Sequence, residues 1–213
     1  RLMADAGREL VVTPAKKVNP KVKVIIKYPN WYDHFHGLGF NLEEEPLYFD
    51  GLWTGTETRD PGSAQHLQNY LSYNIVRYFD NIAPGKNGGG WVDAGGINMS
   101  MDRYAEQLHL TMLSKTPEII LWNYMQLNDV KIRQQMRAPW QDAGGNSFCY
   151  DEMVAPFDKG GKKVTPTTMA RFASVTLRQT DQLMGKLGNP VGLVSYKPYH
   201  SSGEDFLQNY LGM

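Results

Sequence analysis

Val22-Lys-Val-Ile-Ile-Lys-Tyr-Pro-Asn-Trp-Tyr32 is the stretch that decides the fold. Its first seven residues are rich in β-branched side chains, Pro29 stops the run, and two aromatic residues follow directly. A short run of this kind predicts a β-strand with at least one buried face. The same arrangement recurs three times, and we predict further strands at 49–54, 88–94 and 118–123.

The segments between these strands have the spacing of helices. Apolar residues recur every three or four positions, and Ser, Thr, Pro and Gly stand where helices begin and end. Strands that alternate with helices in this way predict a parallel sheet, because parallel neighbours need a crossover connection. The predicted helices are Leu2–Val12 with a restart at Thr13, then 42–49, 63–82, 101–113 and 165–187.

Four strand–helix units amount to half of a (β/α)₈ TIM barrel, which typically needs about 250 residues. The alternative is an open doubly wound sheet. We favour the barrel, because polar and aromatic residues follow every predicted strand and barrel active sites are built from all the strand ends, whereas an open sheet gathers them at one crevice. The prediction is therefore an α/β fold, the C-terminal half of a TIM barrel.

The predicted half barrel spans residues 1–188 and carries a long insertion at 124–164 of the kind that is often functional. Residues 189–213, with another predicted strand at 190–196, would begin a further α/β domain. Arg1 and Met213 both fall inside predicted helices, so we expect a segment of a longer chain. An uncovered half barrel would expose apolar surface, and a homo-oligomer is one expected consequence.

The composition excludes several classes of function. The 22 basic and 22 acidic residues balance without a basic run, which argues against a nucleic-acid partner. No apolar stretch of about 18 residues is present and the first residues lack a signal-peptide pattern, so we expect no membrane partner and favour cytoplasmic over secreted. The single Cys149 excludes an internal disulfide and a thiolate metal cluster.

Acidic residues follow two neighbouring strands. Glu57, Arg59 and Asp60 lie in the loop after the second strand, and Asp93 ends the third. Glycoside hydrolysis needs two carboxyl groups roughly 5–9.5 Å apart, so we predict Glu57, Asp93 and Asp60 as catalytic candidates. Nearby tryptophans would raise the pKa of such a carboxyl, whereas Arg59 would lower it. Two structural alternatives stay open: a loop ion pair between Glu57 and Arg59, and Asp93 as a turn cap.

Aromatic side chains recur at the ends of successive strands, a distribution suited to stacking on sugar rings. Strand side chains alternate between two faces, so we expect about half of the tryptophans to be core. The Asp33, His34 and His36 cluster lacks a fourth ligand, so no metal is predicted, and no cofactor is needed. The predicted substrate-binding residues are Lys27, Trp31, Tyr32, His34, Trp53, Arg59, Trp91, Trp122 and Asn123.

Three of these segments, Lys23–Tyr32, Trp53–Pro61 and Gly89–Asp93, together resemble an uncharacterised bacterial family of glycoside-hydrolase-like barrels, similar in architecture to family 42 β-galactosidases. The tail Asn189–Asp205 resembles the start of the amidotransferase-like domain that follows such barrels. In the family 42 pattern the nucleophile follows the seventh strand, where Asp93 stands in place of a glutamate. A second pattern, resembling the α-galactosidase clan, would make Glu57 or Asp60 the acid/base.

The leading hypothesis is therefore a glycoside hydrolase acting on carbohydrate. A non-catalytic carbohydrate-binding or assembly protein is the alternative from another class, and Glu57→Gln would separate the two. A sugar-phosphate isomerase or aldolase on the same fold is a third. That enzyme would need a phosphate site at a helix N-terminus after the last strands.

Overall fold

The structure is a computed structural model that describes residues 1–30, 35–56, 70–93, 101–128, 158–162 and 168–192, together with Lys197 and Tyr199. Four strands form one sheet: β1 Ile25–Tyr28, β2 Gly51–Gly55, β3 Asn87–Asp93 and β4 Glu118–Trp122. Each bound lies within three residues of its prediction. All neighbours are parallel and the order is β1-β2-β3-β4.

This strand order confirms the predicted α/β fold. In a barrel, successive strands lie side by side around the sheet, whereas a doubly wound sheet reverses direction at a switch point. The four described strands follow one another without such a reversal, which is the arrangement of half a TIM barrel. The proposed second domain at 189–213 lies largely outside the described residues. Its predicted strand is absent from the described part of that range, 190–192.

The first helical stretch runs through α1 Leu2–Ala6, a π-helical segment Gly7–Val12 and α2 Thr13–Val18. The predicted restart at Thr13 is wrong. Val12 and Thr13 both keep helical backbone angles, and no side chain caps the junction. The π-helical turns pair each N–H with a carbonyl five residues back, and they carry the helix into Pro14, whose ring nitrogen has no proton to donate.

The remaining helices are α3 Glu45–Tyr48, α4 Leu71–Ile82, α5 Met101–Leu113, α6 Tyr124–Asn128 and α7 Met169–Met184. Helix α4 begins at Leu71, after Tyr70, and the start predicted for it at Ser63 lies outside the described residues. Two other helices differ from the prediction. The short helix α6 lies in the region predicted as an insertion. Helix α7 begins after Thr168, whose hydroxyl accepts a hydrogen bond from the Arg171 amide at 3.3 Å, so Thr168 and not Thr165 is its cap.

One face of the sheet packs against helices through two buried clusters. The first joins β1 and β2 to α4 through Tyr28, Leu52 and Phe79. The second joins β3 to α5 and α7. The opposite face has no buried hydrophobic side chain among the described residues, and there Ile25, Ile120 and Trp122 are 47%, 37% and 54% exposed. The expected exposure of apolar surface on the side that would face the rest of a barrel is confirmed.

The amino ends of the strands are fixed by charged side chains. The Asp50 carboxylate accepts hydrogen bonds from Lys16 at 2.7 Å and from the Val24 amide at 2.8 Å, and the Lys16 contact holds the pKa of Asp50 below its usual value. The Lys86 ammonium donates to three carbonyl oxygens at the end of α3, at 2.9 to 3.1 Å. These contacts lie opposite the carboxyl ends, where barrel active sites form.

Candidate active site at the carboxyl end of the sheet

A shallow pocket of about 330 Å³ lies at the carboxyl end of the sheet. Its lining residues come from the ends of β1, β3 and β4: Lys27, Pro29, Trp91, Asp93 and Trp122. Four of these five were predicted as site residues from the sequence. Pro29 was recognised there only as the residue that stops the first strand.

The register of the sheet explains why these side chains meet. Trp91 is paired with Gly55 on one side and Ile120 on the other, and Asp93 is paired with Trp122. Residues paired across parallel strands point to the same face, and positions two apart on one strand do as well. Trp91, Asp93 and Trp122 therefore share the face that the described helices leave uncovered.

Glycines make room for the tryptophan rings on this face. A Cβ atom at Gly55 would lie 3.0 Å from Cζ2 of Trp91. Similarly, Cβ atoms at Gly88 and Gly89 would lie 2.9 Å and 2.8 Å from atoms of the Trp53 indole. The Trp53 ring therefore lies over the beginning of β3.

The three described tryptophans lie on one face of the sheet, which would be the interior of a barrel, and the expected division of the tryptophans between core and sugar platform stays a prediction. Trp53, Trp91 and Trp122 all lie on the uncovered face, and none belongs to either buried cluster. Alternation along a strand separates neighbours in sequence, but these three residues sit on different strands at positions that the register brings to one side. Trp53 is not among the residues that line the pocket, and its role toward a sugar stays a prediction.

Lys27 is held in the pocket by an aromatic ring. Its ammonium nitrogen lies 5.0 Å from the centroid of the Trp91 ring, a cation–π contact. At an exposed site such a contact contributes about 0.5–1 kcal/mol. The contact keeps a hydrogen-bond donor beside the Trp91 ring.

Asp93 is the last residue of β3 and is half-buried. Behind the strand lies Tyr104 of α5, whose side chain is fully buried. Burial raises the pKa of Tyr104, and the charge of Asp93 raises it further. The phenol therefore stays protonated near neutral pH. Its oxygen is buried and has no hydrogen-bond partner in the described structure. Sequence spacing places Tyr104 on the buried stripe of α5, but nothing in the sequence singled it out as part of a site.

Asn123 directly follows Trp122 and begins α6. Its side-chain oxygen accepts a hydrogen bond from the Gln126 amide at 3.1 Å, which is an N-cap contact. The peptide bond between Trp122 and Asn123 is cis. The cap accounts for the position of Asn123 beside the pocket, and its predicted contact with substrate stays a prediction.

The other predicted site residues, Glu57, Arg59, Asp60, Trp31, Tyr32 and His34, lie outside the described residues. The described part of the second strand region ends at Thr56, whose amide donates to the Trp91 carbonyl oxygen at 3.0 Å. The Ser72 hydroxyl in turn donates to the Thr56 carbonyl oxygen at 2.5 Å. These contacts fix Thr56, the residue before Glu57, beside Trp91 of β3. Trp91 stands two positions before Asp93.

Among the described residues, no group of three or more His, Cys, Asp and Glu side chains could hold a metal ion. None of the described helices has both the length and the apolar character needed to cross a membrane.

Residues 1–186 match the family model of a probable glycosyl hydrolase catalytic domain. The chain belongs to this family. The match supports the predicted glycoside-hydrolase-like resemblance at the level of the family. The likeness to family 42 β-galactosidases and the bacterial origin stay predictions.

A curated relative of this glycosyl hydrolase family member is the archaeal "Uncharacterized protein SSO3021" of Saccharolobus solfataricus. The two sequences are 34% identical over 126 residues, which cover 57% of this chain and 20% of the relative. The matched segment thus spans about a fifth of the relative's length. No solved structure matches the chain significantly.

Proposed function

We propose that the protein is a glycoside hydrolase whose sugar site lies at the carboxyl end of the sheet, with Asp93 as one catalytic carboxylate and Glu57 as the other. The pocket that joins Asp93 to Trp91 and Trp122 carries this proposal. It combines a carboxylate with two apolar aromatic faces, and the family match independently supports hydrolysis of glycosides.

Each lining residue has a chemical role in such a reaction. The transition state of glycoside hydrolysis resembles an oxocarbenium ion, and a carboxylate close to the anomeric carbon stabilises that positive charge or attacks it. Asp93 supplies this carboxylate. Trp91 and Trp122 offer flat apolar surfaces to the C–H faces of the ring. The Lys27 ammonium, held over Trp91, donates to a sugar hydroxyl.

The second carboxyl group comes from the loop that follows β2. Glu57 directly follows Thr56, which is hydrogen-bonded to the carbonyl of Trp91, so the chain enters this loop beside the pocket. In the proposed reaction Glu57 protonates the leaving oxygen, and Asp60 of the same loop is the alternative acid. The distance between the two carboxyl groups decides between retention and inversion: about 5–5.5 Å for retaining enzymes and 6.5–9.5 Å for inverting ones.

The test uses the full-length protein and a panel of 4-nitrophenyl glycosides, followed by oligosaccharides. Asp93→Asn and Glu57→Gln should each lower kcat about a hundred- to a thousandfold, the scale on which electrostatic catalytic groups act, and both variants should still bind the sugar. Asp181→Asn, at an exposed position on α7, is the matched control and should keep wild-type turnover.

The same panel distinguishes a glycoside hydrolase from a non-catalytic carbohydrate-binding protein. Sugars that bind but are never cleaved, with binding unchanged by Asp93→Asn, would make the protein a carbohydrate-binding module. Full activity of both carboxylate variants on a substrate that the wild type cleaves would refute the proposed catalytic pair. If azide restores an Asp93→Gly variant and the glycosyl azide formed has inverted configuration, Asp93 is the nucleophile, because azide then takes the place of the missing carboxylate at the anomeric carbon. A glycosyl azide of retained configuration would instead make Asp93 the acid/base.

A further inference from the structure

We propose that the sugar bound at this site carries a negatively charged group, the carboxylate of a uronic acid or a sulfate ester, and that Lys27 is the specificity-determining residue that binds it. This inference rests on the proposed function and names its class of substrate. The observation behind it is an ammonium group that lines the pocket and that makes neither a hydrogen bond nor an ion pair in the described part of the chain.

The alternation of β1 places Lys27 on the uncovered face of the sheet. Ile26 and Tyr28, the residues on either side of it, pack in the buried cluster under α4, so the Lys27 side chain points the other way. Its ammonium nitrogen lies 5.0 Å from the centroid of the Trp91 ring. Lys27 therefore presents a positive charge on the face that also carries Asp93.

The register of the sheet separates Lys27 from the carboxylate of the same pocket. Lys27 is paired with Trp53, and Trp53 is paired with Gly89, so Lys27 lies level with a residue four positions before Asp93. The two Cα atoms are thus two strands apart, roughly 10 Å, and roughly 13 Å apart along the strands. Trp91 lies between the two levels. The positive and the negative charge consequently stand at two ends of the pocket and do not neutralise each other.

This separation orients a sugar. The catalytic carboxylate acts at the anomeric carbon, so a pyranose ring bound at Asp93 directs its far side, with the substituents of C4 and C5, toward Lys27. In a neutral hexose the C5 substituent is a hydroxymethyl group, and in a uronic acid it is a carboxylate. An anion on the far side of the ring meets the ammonium and stays away from the negative charge of Asp93.

An anion suits this ammonium better than a hydroxyl group does. Lys27 contacts the Trp91 ring and stands beside Trp53, its partner on β2, and a bound sugar removes water from it. A neutral hydroxyl replaces the lost hydration only in part, whereas a carboxylate or a sulfate supplies a charge-assisted hydrogen bond about twice as strong. The pocket should therefore discriminate in favour of charged sugars.

The test measures kcat/KM of the full-length protein on matched 4-nitrophenyl glycosides in both anomeric forms. Glucuronide is compared with glucoside and galacturonide with galactoside, and the 6-sulfated glycosides form a second anionic series. In at least one pair the wild type should prefer the charged sugar at least about tenfold. Lys27→Met should reduce that preference about ten- to a hundredfold, the size of a hydrogen bond between charged groups, and Lys27→Arg should keep most of it.

Lys186→Met is the matched control, because it removes the same charge from an exposed position after α7. It should leave the preference unchanged. Activity on uronides identifies the carboxylate as the recognised group, and activity on the sulfated series identifies the sulfate. A wild type that prefers the neutral member of every pair it cleaves would overturn the inference, and so would a preference for the charged sugar that survives Lys27→Met. Lys27→Gln replaces Lys27→Met if the latter does not fold.

A binding experiment separates this inference from the proposed function. Calorimetry with glucuronate, galacturonate and glucose 6-sulfate, each against its neutral parent sugar, does not depend on turnover. Tighter binding of a charged sugar that is lost in Lys27→Met, without cleavage of any glycoside, would keep Lys27 as an anion site and refute the hydrolase. Cleavage of neutral glycosides alone, abolished by Asp93→Asn, would support the hydrolase and refute the role of Lys27.

Discussion

A single methyl group at Gly89 should break the pairing that places Asp93. Gly89 lies in β3 with a φ of +153°, a conformation that side-chain-bearing residues rarely adopt. A Cβ atom built there would lie 2.1 Å from the Glu118 carbonyl oxygen of β4 and 2.8 Å from Cζ3 of Trp53. The first contact is with backbone, so no side-chain rotation can relieve it. Gly89→Ala therefore forces β3 and β4 apart.

The expected cost follows from these contacts. A side-chain-bearing residue at positive φ is destabilised by roughly 1–2 kcal/mol. Each backbone hydrogen bond lost when the strands separate adds about 1 kcal/mol, and two such bonds lie beside Gly89 in a parallel ladder. The sum is about 3–4 kcal/mol. Since the free energy of unfolding of a domain is about 5–15 kcal/mol, this cost is a large fraction of the total stability.

Two other glycines separate the strain from the clash. Gly85 has a φ of +74° with nothing within 4 Å of a built Cβ, so Gly85→Ala should cost only the strain, about 1 kcal/mol. Gly188 also has open space around it and no positive φ, so Gly188→Ala should be neutral or stabilising by up to about 1 kcal/mol. Urea unfolding followed by circular dichroism measures all three. If Gly89→Ala cost no more than Gly85→Ala, the register of β3 against β4 described above would be wrong.

Three further predictions concern other parts of the chain. Burial raises the pKa of Glu45, which is 2% exposed. The folded state therefore binds the Glu45 proton more tightly than the unfolded state does. As a result, the stability of the wild type should fall as the pH rises from about 4.5 through the folded-state pKa. Glu45→Gln should lack that loss and be the more stable protein at pH 8, as thermal unfolding across pH will show. Lys86→Met should lower the unfolding free energy by about 1–2 kcal/mol, because three carbonyl oxygens at the end of α3 lose their donor, whereas exposed Lys17→Met should change it little. Trp122→Ala, at a side chain 54% exposed, should change stability by less than about 0.5 kcal/mol yet raise KM for the cleaved glycoside about tenfold; an unchanged KM would remove Trp122 from the sugar site.

The strands could be predicted closely because each is a short β-branched or glycine-led run with a clear stop. Parallel pairing then placed the ends of β1, β3 and β4 together, and the meeting of Lys27, Asp93 and Trp122 followed from it. What the sequence does not contain is the register between strands. That register decides that Trp53 and Trp91 share a face and lie over glycines of the neighbouring strand.

Two helix starts were predicted at the wrong residue. Thr13 with Pro14 has the form of a helix start, but the preceding turns were already helical and continued through it. Thr165 and Thr168 are equally good caps by residue type, and the hydrogen bond to Arg171 selects the second. Tyr104 sits on a buried helical stripe like any core aromatic residue. Its hydroxyl oxygen is buried without a hydrogen-bond partner in the described structure, and this depends on how α5 packs against β3.

The pocket is the carboxyl end of the uncovered face. The contrast between that polar end and the apolar remainder of the face favours a barrel. A parallel sheet is ordinarily covered on both faces, by helices in an open sheet and by its own interior in a barrel. The described helices cover one face only. On the other, the apolar Ile25 lies at the amino end of β1 and Ile120 lies level with Trp91, whereas Asp93 lies at the carboxyl end of β3. An open sheet would pack helices over the whole of that face. A barrel needs instead an interior filled by side chains and a polar mouth at one end, which is the division found along these strands.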